Sequence, residues 1–510
     1  MTHSSRAASL ILTMLISVAP ATAVAQLVPQ LLVPGRAPAA ATRRDVPARR
    51  TRTVRINPAA LNSAIIHLQL FDDVHATVTR RKVSRPSPDK IVWVGGDEYG
   101  AQAVLTMVRG VLTGTVFAGH RTFEIAIDTD GQYSVAELDP DAYPTDDPAF
   151  DGVEVQGPEV PDAGLDGHAT ATVQTAEAAA GDTPVQVDVM IVWTPRAETA
   201  QGGAAAMESL ALNAVANANL VYANSGVKAQ LNLVYAGAVA YTETVSSIST
   251  DLQALRSSSD GIIDHVHALR STYGADIVTL LGTGYSSNGY CGIGGLMSTV
   301  SVSFASSAFN VVDRTCAVGN LSYAHEVGHN QGLHHDPANA SSTPSYPYAH
   351  GYQDPSGYFR TVLSYGSAKR VPYLSNPSVF YNGLVTGTAD QNNARALNAN
   401  VTTVAAFRSV GGTTELPPAC TYAVSTTSLS FTAAGGAKTV TVTAPTGCTW
   451  NAVNDAATAW VTLSPASGTG GGSVTVVAAA NAGAARSTTV TIAGTSVAIS
   501  EGAARTKGRK

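Results

Sequence analysis

The sequence predicts a multi-domain chain: a β-rich N-terminal region, a central α/β domain whose mixed sheet carries an active-site helix, and a C-terminal Ig-like β-sandwich. Three observations lead there. Residues 56–140 hold short apolar runs separated by glycines, as in a β-meander. Between 184 and 410 strand-like and helix-like runs alternate, the pattern of a layered α/β domain. From Ser428 to Ile492 short Val- and Thr-rich runs recur between Gly-rich turns, as in a small sandwich.

The first 25 residues read as a secretory signal. Arg6 supplies a positive start, Ala8 to Val18 an apolar stretch, and Ala23-Val24-Ala25 a small-residue cleavage site before Gln26. Residues 26–55 are Pro-, Ala- and Arg-rich and read as a disordered lead. Strands are expected at Ile91–Gly96, Ala103–Val108, Gly110–Val116 and Phe123–Ile127, the last before an Asp130-Gly131 turn. Residues 141–183 are rich in Asp, Pro, Ala, Gly and Thr and read as a linker that can be cleaved.

The central domain is expected over 184–410. Val185 to Trp193 first alternates and then runs apolar, a strand of a sheet. A long helix is expected at Ala204–Tyr222, a strand at Leu231–Tyr235, a helix at Gly261–Leu269 and a buried strand at Ala275–Leu281. Asp390–Phe407 carries Ala394, Leu397, Val401 and Val404 on one face, a closing helix. Residues 411–418 are a Gly/Pro linker, 419–502 the sandwich and 503–510 a basic tail.

The chemistry concentrates in Ala324-His325-Glu326-Val327-Gly328-His329-Asn330-Gln331-Gly332-Leu333-His334-His335-Asp336. His325 and His329 are one helical turn apart on one face. Two imidazoles so placed share a zinc ion. Glu326 reaches the solvent side of that metal, where it can take a proton from water. Gly332 tolerates a left-handed turn that stops the helix and returns His335 as third ligand. His334 competes for that role, but the spacing from Gly332 favours His335. Three protein ligands leave the fourth position open, as a catalytic rather than a structural site does.

This pattern, H-E-x-x-H-x-x-G-x-x-H, resembles that of the metzincin metallopeptidases, and Asp336 after the third histidine is most similar to the adamalysin/reprolysin-like branch. The resemblance implies a zinc-dependent endopeptidase with Glu326 as general base. It implies protein or peptide substrates, and a propeptide at 26–140 like that of secreted bacterial metzincins. Phe359 to Gly366 resembles the clan's Met-turn, with Leu363 where the family has methionine; no methionine follows Met297. Tyr365 matches a tyrosine that in astacins and serralysins stabilises the oxyanion, so it is either a catalytic donor or a tyrosine packed in the cleft wall. The C-terminal Cys448-Thr449-Trp450 and Trp460-Val461 resemble the BACON family, which implies glycan binding with Trp450 and Trp460 as stacking platforms; the competing reading makes at least one a core residue. A rival for the whole chain is a degenerate peptidase acting as a secreted adhesin or glycan-binding protein, which the intact Glu326 opposes.

Composition limits the other classes. Charged residues make up 13% and the formal charge is −6, which gives nucleic acid no partner surface. No stretch reaches the ~18 apolar residues of a membrane span, so the expected location is extracellular or periplasmic. Four cysteines allow three pairings, and the domain division favours Cys291–Cys316 and Cys420–Cys448.

Overall fold

Alternation of side chains across a strand decides which surfaces the sheets present, and in the central sheet it is visible along one strand. Val187, Val189, Ile191 and Trp193 enter a core shared with the helices at Ala204–Asn224 and Ser322–Asn330. Met190 and Val192 enter a second core, with the helices Ile248–Arg256 and His265–Tyr273. The strand is buried on both faces, which is why its sequence turns continuously apolar. Around it the sheet runs Ala229–Ala238, Val185–Trp193, Ile277–Gly282, Phe309–Asp313, Gly292–Gly294. The first four strands are parallel and the last is antiparallel, so the sheet is mixed. Residues 28–35, 45–144, 146, 183–408, 422–444, 449–454 and 458–504 are described in this computed structural model. The chain divides into two units, Met1–Gly411 and Gly412–Lys510.

Helices and strands expected in the central region are present with shifted ends. The closing helix is Asn393–Val404, capped where the Asn392 side chain accepts from the Arg395 N–H. Helix Ile248–Arg256 and strands Gly292–Gly294 and Phe309–Asp313 had no sequence expectation. Cys291 and Cys316 are disulfide-bonded, Cα atoms 5.5 Å apart. The Cys420–Cys448 pair lies outside the described residues, as do the signal segment, residues 147–182 of the linker expected at 141–183, the linker expected at 411–418 and the tail from 505.

In the same unit nine antiparallel strands between Leu32 and Leu138 form one sheet. Its two edges meet: the Leu31 N–H donates to the His67 carbonyl at 3.1 Å and the His67 N–H to Pro29 at 3.0 Å. The disordered lead needs correction here, because Ala48–Ile56 is a full strand paired with Tyr133–Leu138. Its arginines find partners across the sheet: Arg50 binds Asp73 at 2.8 Å and Glu137 at 2.7 Å, and Arg52 donates to the Gln69 carbonyl at 2.6 Å.

Outside this sheet lies the long helix Ala204–Asn224, joined to it by a row of amides and hydroxyls. Thr106 donates to the Ser209 carbonyl at 2.9 Å and Thr115 to Asn213 at 2.7 Å. Asn213 donates to the Val104 carbonyl at 3.1 Å, Asn217 to Thr115 at 3.2 Å, and Gln102 and Asn224 exchange two bonds at 2.8 and 2.9 Å.

The C-terminal unit holds sheets of four and five strands around one core that includes Val440, Val474, Trp450, Val490 and Ile499. Trp450 is 5% exposed, and its indole donates to the Gly470 carbonyl at 2.8 Å. The Arg486 guanidinium lies 4.4 Å over the Trp460 ring. Trp450 is therefore a core residue and Trp460 carries an arginine, so neither ring supports the expected glycan platform. Among the described residues no helix is long and apolar enough to cross a membrane.

Candidate metal centre

Helix Ser322–Asn330 is wholly buried and ends at a turn in which Gly332 has φ +85°. A side chain there would also meet the Asn400 amide, 2.6 Å from a built Cβ. The turn is held from the closing helix, where Asn400 donates to the Gln331 carbonyl at 2.9 Å and Asn393 to that of His334 at 3.1 Å. It carries the chain back so that the Nε2 atoms of His325, His329 and His335 lie 3.0 Å from one another. His334 turns elsewhere: its Nδ1 accepts from the His335 N–H at 2.7 Å, and its Nε2 meets Ser342 Oγ at 3.1 Å.

The proton positions follow from the partners. His325 Nδ1 faces the Val362 carbonyl and His329 Nδ1 the Leu333 carbonyl, both at 2.8 Å. A carbonyl only accepts, so both Nδ1 atoms carry the hydrogen and both Nε2 lone pairs are bare. Burial, then His329 and Arg370, hold the His325 pKa well below the usual imidazole range, so protonation does not relieve the crowding. Nitrogen lone pairs converging in this way fit a divalent cation that takes imidazole ligands, zinc foremost, with the carbonyls orienting the rings.

Glu326 is 2% exposed and lies against the edge strand. A Cβ built on Gly292 would stand 2.7 Å from Glu326 Oε1, and one on Gly294 3.0 Å from Oε2; both glycines leave room for the carboxylate. The disulfide at Cys291 ties this strand to the chain just before the helix. Beneath the helix, Leu363 is fully buried and its Cδ2 lies 3.1 Å from a Cβ built on Gly328. Asp336 accepts from Gln353 at 2.9 Å and from the Tyr365 backbone N–H at 3.0 Å, pinning the loop that carries His335 to the turn at 361–366. The Tyr365 ring packs 4.3 Å from that of His335, and its hydroxyl donates to the Asp146 carbonyl at 3.0 Å.

Asp146 was not singled out by sequence; its only signal is the acidic composition around it and the absence of cysteine before Cys291. It is 1% exposed. Its carboxylate accepts from Arg370 at 2.7 Å and lies 3.8 Å from His325 Nδ1. Ligand atoms of Asp146, His325 and Glu326 fall within 4.8 Å of one another. Arg360 runs beside Arg370, and burial, then Arg370, brings it down to about 9.

Comparison with known proteins agrees with this geometry. The model of metallo-peptidase family M12, a reprolysin type, matches residues 183–378, and the viral BACON domain model matches 421–506. A peptidyl-Asp metalloendopeptidase of Xanthomonas campestris is 32% identical over 378 residues, 70% of this chain and 85% of the relative. One of Stenotrophomonas maltophilia is 36% identical over 322 residues, 62% of this chain and 72% of the relative. With most of the Xanthomonas relative's length covered and the M12 model spanning the three converging histidines, the chain belongs to metallo-peptidase family M12.

Proposed function

We propose that the protein is a secreted, zinc-dependent endopeptidase of the metzincin type, made as a precursor whose N-terminal sheet is a propeptide. The convergence of the three Nε2 atoms beside Glu326 carries this reading. His325, His329 and His335 are the metal ligands. The relatives' name extends the proposal to cleavage beside aspartyl residues.

A zinc ion held by three imidazoles supplies a Lewis acid and lowers the pKa of water to about 7. The chain does the rest. Glu326 accepts the proton of the attacking water and delivers it to the leaving amine. Tyr365 donates its phenol hydrogen to the scissile carbonyl as that oxygen gains charge; in support, its hydroxyl already binds a peptide carbonyl beside the histidines. Asp336 fixes the Tyr365 backbone, and the buried Leu363 forms the floor.

Hydrolysis of a denatured protein mixture is expected to stop with a chelator and return on adding zinc. Hydrolysis indifferent to the chelator sinks the reading.

Gly292 provides a second check. In Gly292→Ala the new methyl meets the Glu326 carboxylate, with 2.7 Å available. Displacing the base costs about 10²-fold in kcat, while zinc content stays at one per chain. Unchanged kcat would show that Glu326 has no need of its present position.

A further inference from the structure

The second carboxylate at the metal centre has no part in the chemistry above, and it belongs to the segment that leads out of the N-terminal sheet. Asp146 is held by a charge-assisted bond to Arg370 on one side and by Tyr365 on its carbonyl. Arg370 is fixed to receive it, because its other terminal nitrogen donates to the Asn320 carbonyl at 2.9 Å. Among the described residues, one oxygen of Asp146 and Nε of Arg370 are buried without a hydrogen-bond partner. Neither group is completed by the described residues, and each keeps capacity for a further ligand atom. A cavity of about 250 Å³ adjoins Arg370, walled by Pro140, Tyr143 and Pro144 on one side and by Arg360, Tyr365 and Arg370 on the other. One of its walls is thus the N-terminal segment itself, and the other is cationic.

We infer that Arg370 is the specificity-determining residue that receives an acidic side chain of the substrate, and that Asp146 occupies it in the full-length chain as a built-in substrate mimic. The inference rests on the endopeptidase reading above. An aspartate is the side chain that the guanidinium already binds. Its backbone carbonyl sits on the donor proposed for the scissile carbonyl, and its carboxylate lies 3.8 Å from His325 Nδ1 and within 4.8 Å of a Glu326 oxygen. Substrate and N-terminal segment therefore compete for the same arginine. Latency needs no thiolate, and the chain has no cysteine before Cys291 to supply one.

The test uses the full chain, before and after limited proteolysis within residues 147–182, and two peptides differing only by Asp or Asn at one position. After proteolysis the wild type is expected to favour the Asp peptide by at least about 30-fold in kcat/KM, the scale for a buried charge pair. In Arg370→Gln that ratio falls below about threefold. Arg370→Lys, which keeps the charge but not the planar guanidinium, retains an intermediate ratio and carries the test should the glutamine variant lose its zinc. Before proteolysis, Asp146→Asn raises the initial rate on the Asp peptide at least about tenfold over the wild-type precursor. An unchanged Asp-to-Asn ratio in either zinc-loaded Arg370 variant overturns the specificity role, and an unchanged precursor rate in Asp146→Asn overturns the mimicry. A zinc-loaded wild-type chain that hydrolyses neither peptide nor a denatured protein mixture overturns the peptidase reading instead.

Discussion

Glu326→Gln is expected to keep its zinc and to lose at least about a hundredfold in kcat, the scale of general-base catalysis. Glutamine has the length of glutamate and fits the slot left by Gly292 and Gly294, so the helix and the three imidazoles have no cause to move. What changes is proton affinity: the carboxamide cannot take a proton from water at neutral pH. Metal analysis beside steady-state kinetics separates the two effects. Stoichiometric zinc with near-normal turnover would remove Glu326 from the mechanism.

Tyr365→Phe is the second large effect, a fall of about 10²–10³ in kcat with KM little changed. The ring is held independently of its hydroxyl, by packing 4.3 Å from His335 and by the backbone bond to Asp336. Phenylalanine therefore keeps the wall and removes only the donor. Kinetics after release of the segment carrying Asp146 report on catalysis alone, since the hydroxyl is engaged by that segment in the full-length chain. Unchanged kcat would make Tyr365 a packing residue.

What could be read from the sequence was local. Thirteen consecutive residues hold the three imidazoles, the carboxylate, the turn glycine and Asp336, so periodicity and glycine's conformational freedom sufficed to propose their grouping. The strand Val185–Trp193 was readable because its side-chain alternation and its double burial both lie within nine residues. Ala48–Ile56 was not, since its Arg50 finds its two carboxylates 23 and 87 residues away. A strand stabilised by distant charges looks like a charged linker until its partners are in place. Asp146 is the extreme case: its contacts with Arg370 and Tyr365 span 224 and 219 residues, and no local pattern marks an aspartate whose meaning is set so far along the chain. Trp450 was ambiguous for a related reason. An indole in a β-run serves equally as platform or core, and only the Gly470 carbonyl and the opposite sheet decide for the core.

The row of amides between the N-terminal sheet and the long helix has a consequence for assembly. Apolar stripes tolerate sliding, because one methyl serves as well as the next. Hydrogen-bonded amides do not: each buried group left unmatched costs about 1–3 kcal/mol. Thr106 with Ser209, Thr115 with Asn213 and Asn217, and Gln102 with Asn224 are matched together in one alignment, and a shift of one residue along the helix unpairs them all. The row acts as a vernier that fixes where the sheet sits on the helix, and through that alignment it sets where the segment leaving the sheet delivers Asp146.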